Sequence, residues 1–412
     1  MKKKALRIFL SFALSLVTLT AARAGDNARL LSETQASGAC GSGMAWRLDV
    51  DGVMTISGKG VMADYPTPNV VPWHKYRWDI EKVNVQYGVT GIGKNAFSEC
   101  PNLLALTLPE TLRVIGESAF AKCESLSDFV IADGLREIGN LAFSECSGMD
   151  SFPTPKTVTE IGQSAFSHCV GLTEFDLTNT TLTETRTYLF SGCTSLRTVK
   201  LPDTVRTIGQ RTFSGCTSLT DFEFPERTST IGPYAFVGCT SLRTVAIPPR
   251  IVELENGTFS DCAGLQSVVI PESVKNVKQS VFYNCNALRD VYYAGTATQW
   301  TTISMTDFRE QIDRRMIAVH YGQAERESDV VIESINVENG RVTAHITGNP
   351  DAGSTLLIAS YDADGRFLGA ESYPIDDPNA YTVFTPNAHT LTAFLMDSRN
   401  RPAASALSKE VN

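Results

Sequence analysis

Apolar and polar residues recur along most of this chain with a period of 23 residues, which is the step from Phe97 to Phe120. Each period contains a segment of the form Leu-x-x-Val-x-Leu, whose alternating apolar side chains predict a short strand with one buried face. A phenylalanine marks each period, at Phe97, Phe120, Phe143, Phe166, Phe190, Phe213, Phe236, Phe259 and Phe282. One unit of this size cannot bury its own apolar face, so the period predicts a solenoid of stacked units.

The consensus of one repeat reads I-G-x-x-A-F-x-x-C-x-x-L-x-x-V-x-L-P. Its proline lacks an amide hydrogen and therefore ends the strand. About ten such strands, spaced at roughly 4.8 Å, predict a parallel sheet about 45–50 Å long. Two repeats depart from the consensus, because Phe152-Pro153-Thr154-Pro155 puts proline inside a strand and one residue is added near 178–181. These irregularities predict a local kink or a flexible zone near residues 150–182.

Strand patterns that lack the repeat period precede the repeats. Asp51-Gly52 separates two alternating segments and is a hairpin signal. We interpret residues 39–79 as an N-terminal β cap, in which Trp73 and Trp78 cover the apolar end of the solenoid. The leucine-rich solenoid is predicted to span 80–322, including a C-terminal cap at its far end.

A different pattern begins after the repeats. Residues 323–330 are polar and predict a linker, and Asn339-Gly340 in the next segment is a strong hairpin signal. Several short alternating segments follow, so residues 331–412 predict an all-β sandwich. This segment resembles the immunoglobulin-like or fibronectin-like modules of secreted bacterial proteins.

The N-terminal segment 1–24 has the composition of an export signal. A basic start is followed by an apolar run over 8–19 and by the small residues of Ala22-Arg23-Ala24, which predicts a signal peptide cleaved after Ala24. The apolar run is too short to span a bilayer. Residues 25–38 are predicted to be a linker. The mature chain is expected to be secreted, or associated with the cell surface, without a transmembrane segment.

The cysteines follow the repeat. Of the ten cysteines, nine occupy the same repeat position, at Cys100, Cys123, Cys146, Cys169, Cys193, Cys216, Cys239, Cys262 and Cys285. A residue that recurs once per repeat predicts a buried column of free structural thiols. Neighbouring repeats bring such cysteines near disulfide distance, so disulfides in this exported chain remain an alternative, and a metal site is a further one.

The composition favours protein or glycan binding over catalysis. A formal net charge of −9 argues against nucleic acid as a partner. No nucleophile–base pair, HExxH motif or phosphate loop occurs in the sequence, and the five histidines are scattered. We therefore expect no catalytic residue, no cofactor and no metal site.

The remaining candidate surface is the outward side of the repeat strands, which we call the strand face and expect to be the concave wall of the solenoid. Two positions of each strand alternate with buried residues and point outward. Acidic and basic residues collect there, and one tyrosine offers an aromatic anchor. The candidate ligand-binding residues are Asp128, Glu174, Asp176, Lys200, Asp221, Glu223, Asp290 and Tyr292.

The repeat resembles the leucine-rich repeats of the BspA-like class, also called the treponemal type. The similarity extends over roughly 39–321 and includes the segment Cys40-Gly41 to Gly60 and the closing Tyr292-Tyr293-Ala294-Gly295. The resemblance implies a secreted or surface protein, often concerned with adhesion to host proteins or other cells. The alternative is a secreted carbohydrate-binding or enzyme-accessory protein that acts through the C-terminal sandwich. The sequence leaves the oligomeric state open.

Overall fold

The computed structural model describes residues 33–322 and six later strands, at 331–338, 341–347, 355–361, 367–374, 390–396 and 407–410. The predicted signal peptide 1–24 and the predicted linker 323–330 lie outside the described residues.

Three antiparallel strands open the described chain: β1 (Thr34–Gly41), β2 (Met44–Asp49) and β3 (Val53–Gly58). The turn between β2 and β3 contains the Asp51-Gly52 pair that the sequence singles out, and the Asp49 side chain accepts hydrogen bonds from the amides of Asp51 and Val53. Strand β1 begins within residues 25–38, so the paired part of the chain starts earlier than the predicted linker boundary.

Most repeats contribute two strands. The first set forms the strand face and comprises β5 (Lys82–Val85), β7 (Ala105–Leu108), β9 (Asp128–Ile131), β12 (Glu174–Asp176), β13 (Thr198–Lys200), β16 (Thr244–Ala246), β18 (Ser267–Ile270), β20 (Asp290–Tyr293) and β22 (Ala318–Tyr321). The second set, with β4 before it, comprises β4 (Gly60–Val61), β6 (Val89–Ile92), β8 (Val114–Ile115), β10 (Glu137–Ile138), β11 (Glu160–Ile161), β14 (Thr207–Ile208), β15 (Thr230–Ile231), β17 (Glu253–Leu254), β19 (Asn276–Val277) and β21 (Ser304–Met305). Short turns of 3₁₀ helix lie at Pro68–Val70 and His74–Tyr76, and two α-helices, α1 (Ala297–Thr302) and α2 (Phe308–Arg315), follow β20.

The strands of neighbouring repeats pair in parallel with a register of one repeat, as where Ala105 faces Asp128. The strand face is divided into three sheets, with the orders β1-β2-β3-β5-β7-β9, β12-β13 and β16-β18-β20-β22. The first gap falls at 151–153, where Pro153 removes a ladder donor as the sequence predicts. The second gap, at 221–224, is not foreseen by the sequence analysis. There Phe222 and Phe224 pack against each other and against Phe236.

A column of stacked aromatic rings runs through the core. It begins at Trp73, passes through the nine repeat phenylalanines and ends against Phe308. Ring centroids of Phe97 and Phe120 are 5.4 Å apart, whereas those of Phe166 and Phe190 are 6.1 Å apart. The wider step coincides with the one repeat that is longer than the others, so the added residue is accommodated by a local opening of the stack.

The turns that carry the phenylalanines need left-handed backbone conformations. Two residues per repeat, at two positions before and two after the phenylalanine, have positive φ. Most are not glycine, as in Leu141 with φ 57° and Tyr234 with φ 56°. Gly215, with φ 73°, occupies one of these positions. The geometry is therefore set by stacking between repeats rather than by the local preference of each residue.

The C-terminal segment contains only antiparallel pairing among its described strands. Strands β23 (Val331–Glu338) and β24 (Arg341–Thr347) form one sheet, with Glu338 opposite Arg341 on either side of the predicted turn. Strands β25 (Thr355–Tyr361), β26 (Phe367–Pro374), β27 (Thr390–Met396) and β28 (Leu407–Glu410) form a second sheet in the order β26-β25-β27-β28. Packing of the two sheets into a sandwich stays a prediction.

Candidate functional site

The strand face presents its charged side chains in adjacent columns. In β12 and β13 the central Phe175 and Val199 are buried, so their neighbours on both sides point outward and are exposed. The parallel register places Asp176 directly beside Lys200. Alternation along each strand thus converts the repeat consensus into a polar outer surface above an apolar core.

A cavity of about 460 Å³ opens on this face at the first gap in the sheet. Four of the eight predicted ligand-binding residues line it, namely Asp128, Glu174, Asp176 and Lys200. Its apolar lining is contributed by Phe129, Phe152, Pro153 and Phe175. A volume of this size lies within the range of about 300–1,000 Å³ that is common for ligand pockets. The cavity therefore brings together residues that the sequence placed on three separate repeats.

Asp176 is held in its charged form by its neighbours. Partial burial alone raises the pKa of a carboxyl group, but the Thr178 hydroxyl and amide both donate to Asp176 Oδ1, at 2.6 Å and 2.9 Å, and the Lys200 ammonium lies nearby. The net result is a pKa of Asp176 below its ordinary value. The aspartate is thus a fixed acceptor at the edge of the cavity.

The other predicted residues do not line this cavity. Asp221 and Glu223 are exposed in the repeat where the strand face has its second gap, at 221–224. Asp290 and Tyr292 lie on β20, near the C-terminal end of the strand face. The eight candidates therefore form at least two separate groups rather than one patch.

His320 lies against Asp290 and Tyr292 at the C-terminal end of the strand face. Sequence reasoning did not include His320 among the candidate residues. Its Nε2 lies 2.8 Å from Asp290 Oδ1, and its ring stacks on Tyr292 with centroids 4.6 Å apart. His320 comes 30 residues after Asp290, because α1 and α2 lengthen the connection between β20 and β22. A search at the repeat period therefore does not connect the two.

The cysteine column is buried, and its thiols act as hydrogen-bond donors. In eight repeats the Sγ donates to the carbonyl oxygen of the preceding repeat's phenylalanine, as from Cys123 to Phe97 at 3.1 Å and from Cys216 to Phe190 at 3.2 Å. All ten cysteines are free. Burial raises the pKa of Cys100 and of Cys193 to about 12. Such thiols are poor nucleophiles, so the column connects repeats and does not provide reactive groups.

One of the two tryptophans assigned to the N-terminal end does not cover the core. Trp73 is buried, stacks on Phe97 and donates its indole N–H to the Ala96 carbonyl. Trp78 is 57% exposed and lies under the guanidinium of Arg77. The prediction for Trp78 was therefore wrong, because the turn before β5 directs this side chain to the surface.

No metal-binding cluster of three or more suitable side chains occurs within the described ranges. Likewise, none of the helices in that part of the chain has the length and apolar character needed to cross a bilayer.

Pairs of short parallel strands that recur in most repeats, with a column of aromatic rings in the core, define a leucine-rich-repeat solenoid. The chain belongs to the BspA-type leucine-rich repeat family, because the family model matches residues 74–197 and 183–310 in six copies. Together these matches cover more than half of the chain.

Several solved structures are similar to this chain. A leucine-rich repeat protein from Bacteroides ovatus is 24% identical, with 70% of this chain and 79% of that one covered and a TM-score of 0.44. One from Eubacterium ventriosum is also 24% identical, with coverages of 64% and 88% and a TM-score of 0.41. A leucine-rich cell surface protein from Faecalibacterium prausnitzii is 23% identical, with coverages of 64% and 96% and a TM-score of 0.36. The comparison with curated proteins gave no match.

Proposed function

We propose that this protein is a secreted or surface-associated scaffold that binds a protein on another cell or in the surrounding matrix through its strand face. The observation that carries the proposal is the cavity of about 460 Å³ where charged side chains surround a gap in the sheet. Repeat proteins commonly use an extended sheet face as a binding surface. Charged residues around such a site steer a complementary partner and make association dependent on salt.

The proposal also assigns a role to each of the other segments of the chain. Residues 1–24 direct export and are removed after Ala24, and residues 39–79 cap the N-terminal end of the solenoid. Residues 331–412 form a sandwich that separates the solenoid from its attachment or adds a second contact. The mass of the exported protein tests the first of these assignments, since a mature chain that begins at Gly25 is expected.

The binding function is tested by applying the exported full chain to an array of extracellular-matrix proteins and glycans. We expect a protein hit that weakens between about 20 mM and about 150 mM salt, because exposed charges are increasingly screened. The variant Glu174→Gln/Asp176→Asn removes two charges from the cavity. Its matched control, Glu137→Gln/Glu226→Gln, removes two exposed charges elsewhere on the repeats.

A hit lost in the first variant and kept in the control supports binding through the strand face. Equal binding by both variants contradicts it. A glycan hit that survives deletion of the solenoid charges but not of residues 331–412 moves the function to the C-terminal segment. No hit on any protein at either salt concentration refutes the proposed class of partner.

A further inference from the structure

We infer that the strand-face cavity accepts the guanidinium group of an arginine side chain. This inference rests on the proposed function for the source of that arginine, a bound protein, but the site itself is defined by the cavity. Asp128 and Glu174 stand at opposite sides of the gap, one on β9 and the other on β12. Both side chains are exposed, and among the described residues neither makes a hydrogen bond or an ion pair with another side chain.

The spacing of the two carboxylates suits a planar cation. They occupy the same position in two repeats that are separated by one other repeat. At a strand spacing of about 4.8 Å, their Cα atoms are therefore separated by about 9.6 Å. A guanidinium placed between them donates to each side over about 2.9 Å. In a regular solenoid the repeat between β9 and β12 would contribute a paired strand here. At 151–153 no strand is paired, and Ser151, Phe152 and Pro153 line the cavity.

The lining below the carboxylates also favours this group. Phe129 is half-buried in the cavity lining and contacts the buried Phe152 edge-on, and the buried Phe175 also lines the cavity. Guanidinium is more weakly hydrated than ammonium, and it stacks on aromatic faces while its edge donates to carboxylates. The cavity thus offers an apolar surface for the plane of the group and two acceptors for its edge.

The charges that line the cavity favour one end of the cavity as the position of the cation. Lys200 lies beside Asp176, and these two opposite charges largely offset each other. Asp128 and Glu174 are left as the uncompensated charges of the lining. A cation is therefore held on the side of the cavity away from Lys200.

The test uses small probes, so it does not depend on finding the natural partner. Binding of N-acetyl-arginine amide to the full chain is measured by saturation-transfer NMR and compared with N-acetyl-citrulline amide, which has nearly the same shape but no charge. We expect about tenfold weaker binding of citrulline, because the charge-assisted hydrogen bonds are lost. The variant Asp128→Asn/Glu174→Gln should abolish the difference, and Asp221→Asn/Glu223→Gln should retain it.

Equal binding of both probes, or an arginine preference that survives Asp128→Asn/Glu174→Gln, overturns the inference. Circular dichroism melts establish that the variants are folded. Arginine binding in the cavity without any protein hit on the array refutes the proposed function alone. A protein hit that depends on the strand face, with no preference for arginine over citrulline, refutes the inference alone.

Discussion

Truncation of one ring in the aromatic column should strongly destabilise the repeats. Phe213 is fully buried, and its ring has three aromatic neighbours. Its centroid lies 5.7 Å from that of Phe190, 5.1 Å from that of Phe236 and 4.9 Å from that of Phe222. The substitution Phe213→Ala removes the ring from a position where stacked repeats on both sides prevent the site from collapsing.

The size of the effect follows from this environment. Replacement of a buried phenylalanine by alanine costs about 3–5 kcal/mol, and the upper half applies where neighbours cannot relax into the cavity. We expect about 4–5 kcal/mol for Phe213→Ala. Phe213→Leu keeps most of the volume and loses mainly the ring pairs, so about 1–2 kcal/mol is expected. Tyr283→Ala, at a side chain that is 52% exposed, should change the free energy of unfolding by less than about 0.5 kcal/mol.

The cysteines provide an assay that is specific for the repeats. All ten lie between Cys40 and Cys285, and none lies in the C-terminal segment. Thiol labelling as a function of urea therefore reports the unfolding of the solenoid without a contribution from residues 331–412. A cost below about 1 kcal/mol for Phe213→Ala, or equal costs for the leucine and alanine variants, would refute a stabilising role of ring stacking.

Three further predictions concern single groups. Gly215→Ala should lower the free energy of unfolding by about 1–2 kcal/mol, because φ is 73° at this residue. The new Cβ would lie 3.8 Å from the nearest atom, in Gly192, so the cost comes from backbone strain and not from a clash. An unchanged urea midpoint would contradict this. Denatured, unreduced protein should titrate ten free thiols, while the native repeats should label slowly at pH 8 because burial raises the pKa of thiols such as Cys193; a denatured count near zero would show cross-linking. Asp176→Asn should lower stability at neutral pH, and the difference should shrink in acid, because a lowered carboxyl pKa stabilises the fold above the unfolded-state pKa and this contribution is lost as the pH falls through the folded-state pKa. A difference that is equal at neutral and at strongly acidic pH would exclude this linkage.

The regular part of the fold could be predicted from the sequence because each repeat meets the same neighbours. The spacing of Phe97 and Phe120 gives the parallel register, and the alternation around Leu106 gives the buried side of the strand. The grouping of the eight candidate residues depends on where the sheet is interrupted, and the sequence shows this only in part. Pro153 marks the break of the sheet at 151–153 in the sequence, whereas no proline inside the strand segment marks the break at 221–224.

The features that the sequence did not reveal depend on departures from periodicity. His320 reaches Asp290 through a longer connection that contains two helices, so no fixed spacing marks the pair. Trp78 lies before the first full repeat, where its direction depends on the turn that precedes β5. In both cases the backbone path, rather than the residue type, decides which surface the side chain joins.

The cavity has the same physical origin as the break in the sheet. In a regular repeat the middle strand pairs on both sides, and its outward side chains form a continuous surface with little depth. Pro153 cannot donate to that ladder, so β9 pairs only with β7 and β12 pairs only with β13. The loss of pairing gives up local stability at a cavity whose lining includes the half-buried Phe129 and two uncompensated carboxylates. Such a local violation of the folding pattern is where a binding site is expected, since the surrounding repeats supply the stability that the irregular one lacks.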